Sequence, residues 1–280
     1  MTKQKYLPIY RQFIQLLKAG LNVLDDTARQ QIETFVLSQQ HTNGGFVNRS
    51  GKPDFYYSVF GFWLSSALNL TTAIDKHNQF LVAQTELPAG TINQLAMLLI
   101  KAGMPESKEK TSVFKLLKII LRGQTNINFA YRLFLLMLII DAQNGPKAFF
   151  YFVARIWFSV TKTPENLPCS ILAAITFAKK EIGLKHQKEQ KKIRSYFVEG
   201  AGFISFKHVN NTDMLSTAVA LFVLKNTGFD LRTIAPDCLN FVENNYNAGA
   251  FLAGDGDKTR DLEYTFYGLL ALGTLVKNGE

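Results

Sequence analysis

The chain repeats itself, and an internal repeat limits architecture before the chemistry of any single residue is considered. Its clearest copy runs from Gly249 to Leu272, GAFLAGDGDKTRDLEYTFYGLLAL: a small-residue turn with an aromatic, a polar loop, an Asp at a helix start, then an almost uncharged helix. Gly44 to Leu68, GGFVNRSGKPDFYYSVFGFWLSSAL, says the same thing near the other end. Asp54 corresponds to Asp261, Tyr57 to Tyr264, Ser58 to Thr265 and Gly61 to Gly268. A weaker copy, Ala201 to Leu224, keeps Asp213 and Thr217 in register. Segments 40–68, 200–224 and 245–272 therefore form a repeated unit.

Between the copies, uncharged and polar helical segments alternate. Phe55 to Leu68 carries no charge, the pattern of a helix buried on every side, whereas the segment after Asp25 or Asp26, through Gln39, sets Ile32, Phe35 and Val36 on one face only. Ala89–Ile100, Asn126–Ile140, Asn166–Ala178, Asp213–Leu224 and Asp261–Val276 read as inner helices with Phe55–Leu68. Thr71–Gln84, Lys108–Arg122, Pro146–Val160, Lys185–Val198 and Asp230–Asn244 read as outer ones, and Pro8–Leu17 as a short amphipathic helix before them. Five steps of about 41 residues separate Asp54 from Asp261, a plausible helical-hairpin repeat. No alternation of strand type is long enough to compete. The expectation is an all-α chain forming one domain over residues 1–280. Uncharged inner helices favour a closed ring over an open solenoid, which would wet one of their faces.

The copies resemble the repeat of protein prenyltransferase β subunits and squalene-hopene-type triterpene cyclases. Gln40, Gly44 and Phe46 match the QxxxGxW motif of those cyclases with Phe for Trp, and Asn245, Gly249 and Phe251 give a looser version. The resemblance covers about the first and last quarters and is compositional between Leu70 and Val198. It implies an α/α toroid of six helical hairpins with the inner helix starts at one mouth. It also implies a ligand: an isoprenoid or other long apolar lipid held in the central cavity.

The family's functional residues carry over incompletely. Protein prenyltransferases hold zinc with a D-x-C motif and a D-x-x-H-T motif; here Leu215 stands two after Asp213, and Tyr264 replaces His in Asp261-Leu262-Glu263-Tyr264-Thr265. Neither replacement suits zinc, so no metal and no other cofactor is expected, and zinc-dependent protein prenylation is excluded. The cyclase motif D-x-D-D-T keeps an acid in its middle place at Glu263, with Asp261 and Tyr264 as hydrogen-bonding neighbours, which makes these three the candidate catalytic residues. Asp54, Tyr57 and Asp213 are candidates for the cavity mouth, with N-capping as the structural account of the Asp residues. Lys207, Lys258 and Arg260 are the basic residues placed to meet a diphosphate. Three functions stay open: lipid binding with cyclisation or another transformation, a non-catalytic lipid-binding or accessory subunit with a protein partner, and prenyl transfer to a small acceptor.

Composition bears on partners. Thirty-one Lys and Arg against 22 Asp and Glu give a net charge of +9, clustered at Lys108–Arg122 and Lys185–Arg194. A solvated outer face or contact with an anionic membrane surface accounts for such runs; no motif for nucleic acid accompanies them. The 23 Phe suit either a plain core or an aromatic-lined cavity. Cys169 and Cys238 have no metal spacing, and Met1–Phe13 lacks the apolar run of a signal peptide, so a cytoplasmic, membrane-peripheral location is expected.

Overall fold

The computed structural model describes residues 6–104, 111–122, 129–143 and 147–276. Among them are thirteen helices: α1 (Ile9–Asn22), α2 (Asp26–Ser38), α3 (Phe55–Leu68), α4 (Thr71–Val82), α5 (Thr91–Gly103), α6 (Val113–Arg122), α7 (Phe129–Ala142), α8 (Lys147–Val160), α9 (Cys169–Glu181), α10 (Gln187–Arg194), α11 (Met214–Asn226), α12 (Ala235–Asn244) and α13 (Leu262–Val276). One small antiparallel ladder, β1 (Tyr246–Asn247) with β2 (Ala250–Phe251), pairs Tyr246 with Phe251. No described helix is long and apolar enough to cross a membrane.

The alternation in sequence becomes an alternation in burial. Ten of the fourteen residues of α3 are buried, against three of thirteen in α2, which has one apolar face to hide. The inner helices pack in chain order, α3 on α5, α5 on α7, α7 on α9, α9 on α11 and α11 on α13, and α13 packs in turn on α3. Polar helices sit against them: α4 on α3, α6 on α5 and α7, α10 on α9 and α11, α12 on α13.

Each repeated residue has a mechanical job. Asp54, Asp213 and Asp261 cap α3, α11 and α13, accepting the backbone N–H of Tyr57 at 3.1 Å, Ser216 at 2.8 Å and Tyr264 at 2.9 Å. Ser58, Thr217 and Thr265 each accept the N–H of the turn aromatic, Phe46, Phe203 or Phe251. The aromatic then lies over the inner helix where Gly61 and Gly268 have no side chain; a Cβ on either would collide with the ring of Phe46 or Phe251. In the third copy Ala220 occupies the equivalent place. Gln40 donates to the carbonyls of Gly44 (3.1 Å) and Ala73 (2.8 Å), tying the first turn to α4.

The turn glycines connect one unit to another. Gly44, at φ +93°, leaves no room between itself and the Lys76 carbonyl of α4. Gly249, at φ +89°, makes the same approach to the Gln31 carbonyl of α2. The last turn thus treats the first polar helix as the first turn treats the helix that follows it.

Helix α1 is the element that the alternation does not account for. It packs on α13, α3 and α7. Its contacts fall at the C-terminal ends of inner helices: Lys18 donates to Asn69, the C-cap of α3, Tyr10 lies beside Gly103, the last residue of α5, and Gly20 meets Gly273 of α13 backbone to backbone. At its other end the buried carboxylate of Asp141, on the last turn of α7, accepts the N–H of Ile9 at 2.7 Å and the hydroxyl of Tyr6.

Helix ends differ from the sequence expectations where local chemistry intervenes. Pro168 delays α9 to Cys169, and Pro236 belongs to the first turn of α12, which starts at Ala235 rather than Asp230. α10 stops at Arg194 rather than Val198 because Phe197 bridges to Phe203. Positions 108–110, 126–128 and 146 lie outside the described residues. His77 is buried against Phe46, Phe62 and Phe80, and burial holds its pKa down at about 4.

Candidate functional site

The N-termini of the inner helices lie together. The Tyr56 amide of α3 donates to Asn93 of α5, the Tyr56 hydroxyl reaches Glu263 of α13, the Met214 amide of α11 meets Ala253 before α13, and the Cys169 amide of α9 meets Ser205 before α11. They surround one end of a cavity of about 340 Å³. The second residue of each of five inner helices lines that end: Tyr56, Ile92, Ser170, Leu215 and Glu263.

Deeper lining follows helical spacing. Glu263 is succeeded by Phe266, Tyr267 and Leu270, and Tyr56 by Val59, Phe60 and Trp63, so each helix turns one stripe inward. The stripe from Glu263 to Leu270 rises through seven residue steps, about 10 Å of helix. Aromatic rings dominate the interior, where Phe13 of α1 packs edge-on to Phe222 and Phe266. Because α1 crosses the C-terminal ends of α3, α5, α7 and α13, Phe13 belongs to the floor. Among the described lining residues Glu263 is the one carboxyl group, and none is Lys or Arg.

Glu263 accepts the Tyr56 hydroxyl at 2.6 Å. It keeps part of its surface open to the cavity, yet the packed protein around it excludes bulk water. That desolvation, opposed by the Tyr56 hydrogen bond and reinforced by the Asp261 charge, pushes its pKa from 4.5 up to about 7. Glu263 is therefore a carboxyl group that exchanges its proton near neutral pH.

Just outside stands an ionic cluster. Arg49, from the loop before α3, donates to Asp261 at 2.7 Å and to Asp257 at 2.8 Å. Its guanidinium also lies over the Tyr264 ring, 5.4 Å from the centroid. Burial raises the Asp261 pKa while its helix-cap bond and Arg49 pull the other way. The phenols of Tyr57 and Tyr264 are both pushed up to about 12, chiefly by burial.

Of the residues singled out in the sequence, Glu263 lines the cavity, and Asp261, Tyr264 and Tyr57 surround Arg49 beside it. Asp54 and Asp213 serve as caps at the same end. The basic residues lie elsewhere. Lys207 sits over the Tyr196 ring, and Arg260 bonds the Ala248 carbonyl and lies over Phe35, in a separate groove beside α2. Lys258 is exposed on the loop. Tyr56 and Arg49 were not singled out. Tyr56 was within reach of the repeat register: it stands two residues after its capping Asp, as Leu215 and Glu263 do. Arg49 carries no such signal.

Cys169 and Cys238 are both buried as free thiols, and burial pushes Cys238 up to about 12, which suits packing rather than nucleophilic chemistry. Among the described residues no group of three or more His, Cys, Asp and Glu side chains is placed to hold a metal ion. The features above define a class, a mostly helical repeat protein with an aromatic-lined cavity and, among the described residues, a single carboxyl group in its lining. Comparison with protein-family models, curated proteins and solved structures finds no match to this chain.

Proposed function

We propose that this chain is a single-domain α/α toroid that binds an isoprenoid or similar long apolar lipid in its central cavity and cyclises or otherwise isomerises it by proton transfer from Glu263. The observation that carries the reading is the combination of an aromatic-lined cavity with an acid, Glu263, at its rim, titrating near pH 7. Support for the toroid comes from α13 packing on α3 and from Gly249 meeting α2 as Gly44 meets α4.

In the reaction envisaged, the Glu263 carboxyl proton goes to one carbon of an alkene, whose π electrons form the new C–H bond. A second alkene attacks the cation to close a ring, and loss of a proton back to the Glu263 carboxylate ends the sequence and restores the acid. Substrate and product are isomers, so no co-reactant is consumed. Tyr56 holds the carboxyl in place, and the Arg49–Asp261 pair sets the charge beside it. The aromatic faces of Phe60, Trp63 and Phe266 would stabilise a cation by their quadrupoles.

A non-catalytic lipid-binding subunit is the second reading, favoured by the structural work that occupies Asp54, Asp213 and Asp261. Prenyl transfer from a diphosphate has less behind it, since Lys207, Lys258 and Arg260 lie outside the lining. The deciding experiment incubates wild type and Glu263→Gln with linear polyprenes and analyses products by gas chromatography and mass spectrometry. A cyclic product from wild type that vanishes in the variant, with lipid binding retained, supports catalysis. Binding without turnover in both supports the carrier.

An apolar strip on α8 offers a route of delivery from membranes. Phe152, Val153, Ile156 and Val160 are exposed there, and Arg155, Lys162, Lys185, Lys188 and Lys191 are exposed on the strip or on the segments that follow it. Apolar residues flanked by cations suit an anionic lipid surface.

A further inference from the structure

We propose that the ligand enters this cavity tail first and carries a neutral hydroxyl headgroup, which hydrogen-bonds to Glu263 at the rim, and that diphosphate and other anionic heads are disfavoured. This rests on the lipid-binding reading above and specifies the ligand's polar end.

Polarity along the cavity sets the orientation. Helix α1 crosses the floor with Phe13 in the lining, and the described walls below the second helical residues are mostly apolar and aromatic, the Tyr267 hydroxyl and the Trp63 indole N–H being their polar groups. Tyr56, Ser170 and Glu263 put their polar groups at the rim. A polar head set against these walls would lose its hydration for little in return, so the rim, with Glu263, Tyr56 and Ser170, is where the head sits.

Charge selects the kind of head. The rim and the loop beside it carry Glu263, Asp261, Asp257 and Asp255, and Asp255 is close enough to act on both Asp213 and Tyr264. The neighbouring cation, Arg49, already bridges Asp261 and Asp257 and is covered on one side by Tyr264. Lys207 and Arg260 are engaged on aromatic rings away from the cavity. Helix N-termini ordinarily attract anions, but those of α3, α11 and α13 have their own aspartates. Lys258 is exposed on the same loop but outside the lining, so among the described lining residues an anionic head would meet the Glu263 carboxyl without a cation to receive it.

Hydrogen-bond capacity selects the hydroxyl. Oε1 of Glu263 is taken by Tyr56, which leaves Oε2 for a ligand. A carboxyl that changes protonation near neutral pH is a donor in one form and an acceptor in the other. A hydroxyl answers both, because it donates one hydrogen bond and accepts others. A ketone or ether answers only the protonated form. A bare hydrocarbon leaves the pair unanswered.

The test is a competition series at fixed ionic strength. The fluorescent apolar probe N-phenyl-1-naphthylamine is bound to the full chain and displaced by a fifteen-carbon isoprenoid alcohol, its diphosphate, its amine and the parent hydrocarbon, each below its micelle concentration. The alcohol is expected to bind at least about tenfold more tightly than the diphosphate and the hydrocarbon. Glu263→Leu is expected to remove most of the alcohol's advantage over the hydrocarbon; Tyr56→Phe, which keeps the ring, is expected to give a smaller loss in the same direction. Diphosphate or amine binding as tight as the alcohol overturns the headgroup assignment and leaves lipid binding standing. Failure of the probe and of all four chains to bind overturns the lipid reading and this inference with it.

Discussion

Replacing Glu263 by Gln should change how stability depends on pH, and the direction follows from the structure. A carboxyl whose pKa is 4.5 unfolded and about 7 folded binds more protons in the native state across that interval. Native stability therefore falls as pH rises from about 4.5 to 7, is lowest on this account above 7, and is fully restored below 4.5. At about 1.4 kcal/mol per pH unit the interval corresponds to about 3 kcal/mol at most. Gln keeps the shape and an oxygen that accepts the Tyr56 hydroxyl but has no proton to lose. Asp261 and Asp213 also have raised pKa values and add slope of the same sign, so the informative quantity is the difference between variant and wild type. Chemical denaturation at a series of pH values from 4 to 8.5 provides it. The variant should match wild type near pH 4 and exceed it by about 2–3 kcal/mol at pH 8, several degrees in Tm. A difference independent of pH would show that Glu263 ionises as an ordinary solvated carboxyl, and the desolvation argument would fall.

Three further outcomes follow from the geometry. Gly61→Ala or Gly268→Ala should destabilise the fold by about 1–3 kcal/mol, because the new methyl meets an aromatic ring already in place; thermal melts unchanged from wild type would refute that account of the repeat. Purified protein should hold no stoichiometric zinc by elemental analysis, given Leu215 and Tyr264 at the positions compared with ligands; metal that survives chelator dialysis would contradict this. Vesicles containing anionic lipid should sediment the chain while zwitterionic ones do not, and Phe152→Ser with Ile156→Ser should weaken that binding; equal sedimentation with both lipids would count against the α8 surface.

What the sequence made legible was the part governed by short-range pattern. Charge-free segments such as Phe55–Leu68 announce inner helices because a helix without a polar face has nowhere to go but inside. The Asp caps were readable for the same reason, since a cap bond spans three residues. Glu263 was singled out by the resemblance to the cyclase motif, and its place two residues after its cap puts it at the cavity end. Contacts set by distant segments were not readable. Tyr56 and Glu263 lie 207 residues apart, and Arg49 reaches Asp261 across 212. Helix α1 looked like an ordinary amphipathic helix because its anchors are Asp141 and Gly273, far along the chain. Arg260 adjoins the cap, but its long side chain turns toward Phe35, which its place in the sequence gives no means to foresee.

Occupancy of the cavity by an apolar chain is the claim on which the rest depends, and Trp63 in its wall reports on it directly. With Trp157 changed to Phe, so that Trp63 is the remaining tryptophan, the chain is titrated with an isoprenoid alcohol while emission is followed. The account predicts a saturable change at one ligand per chain, abolished when Ala174→Phe fills the cavity in a variant that still melts cooperatively. No saturable change, or a change that Ala174→Phe leaves intact, would contradict it.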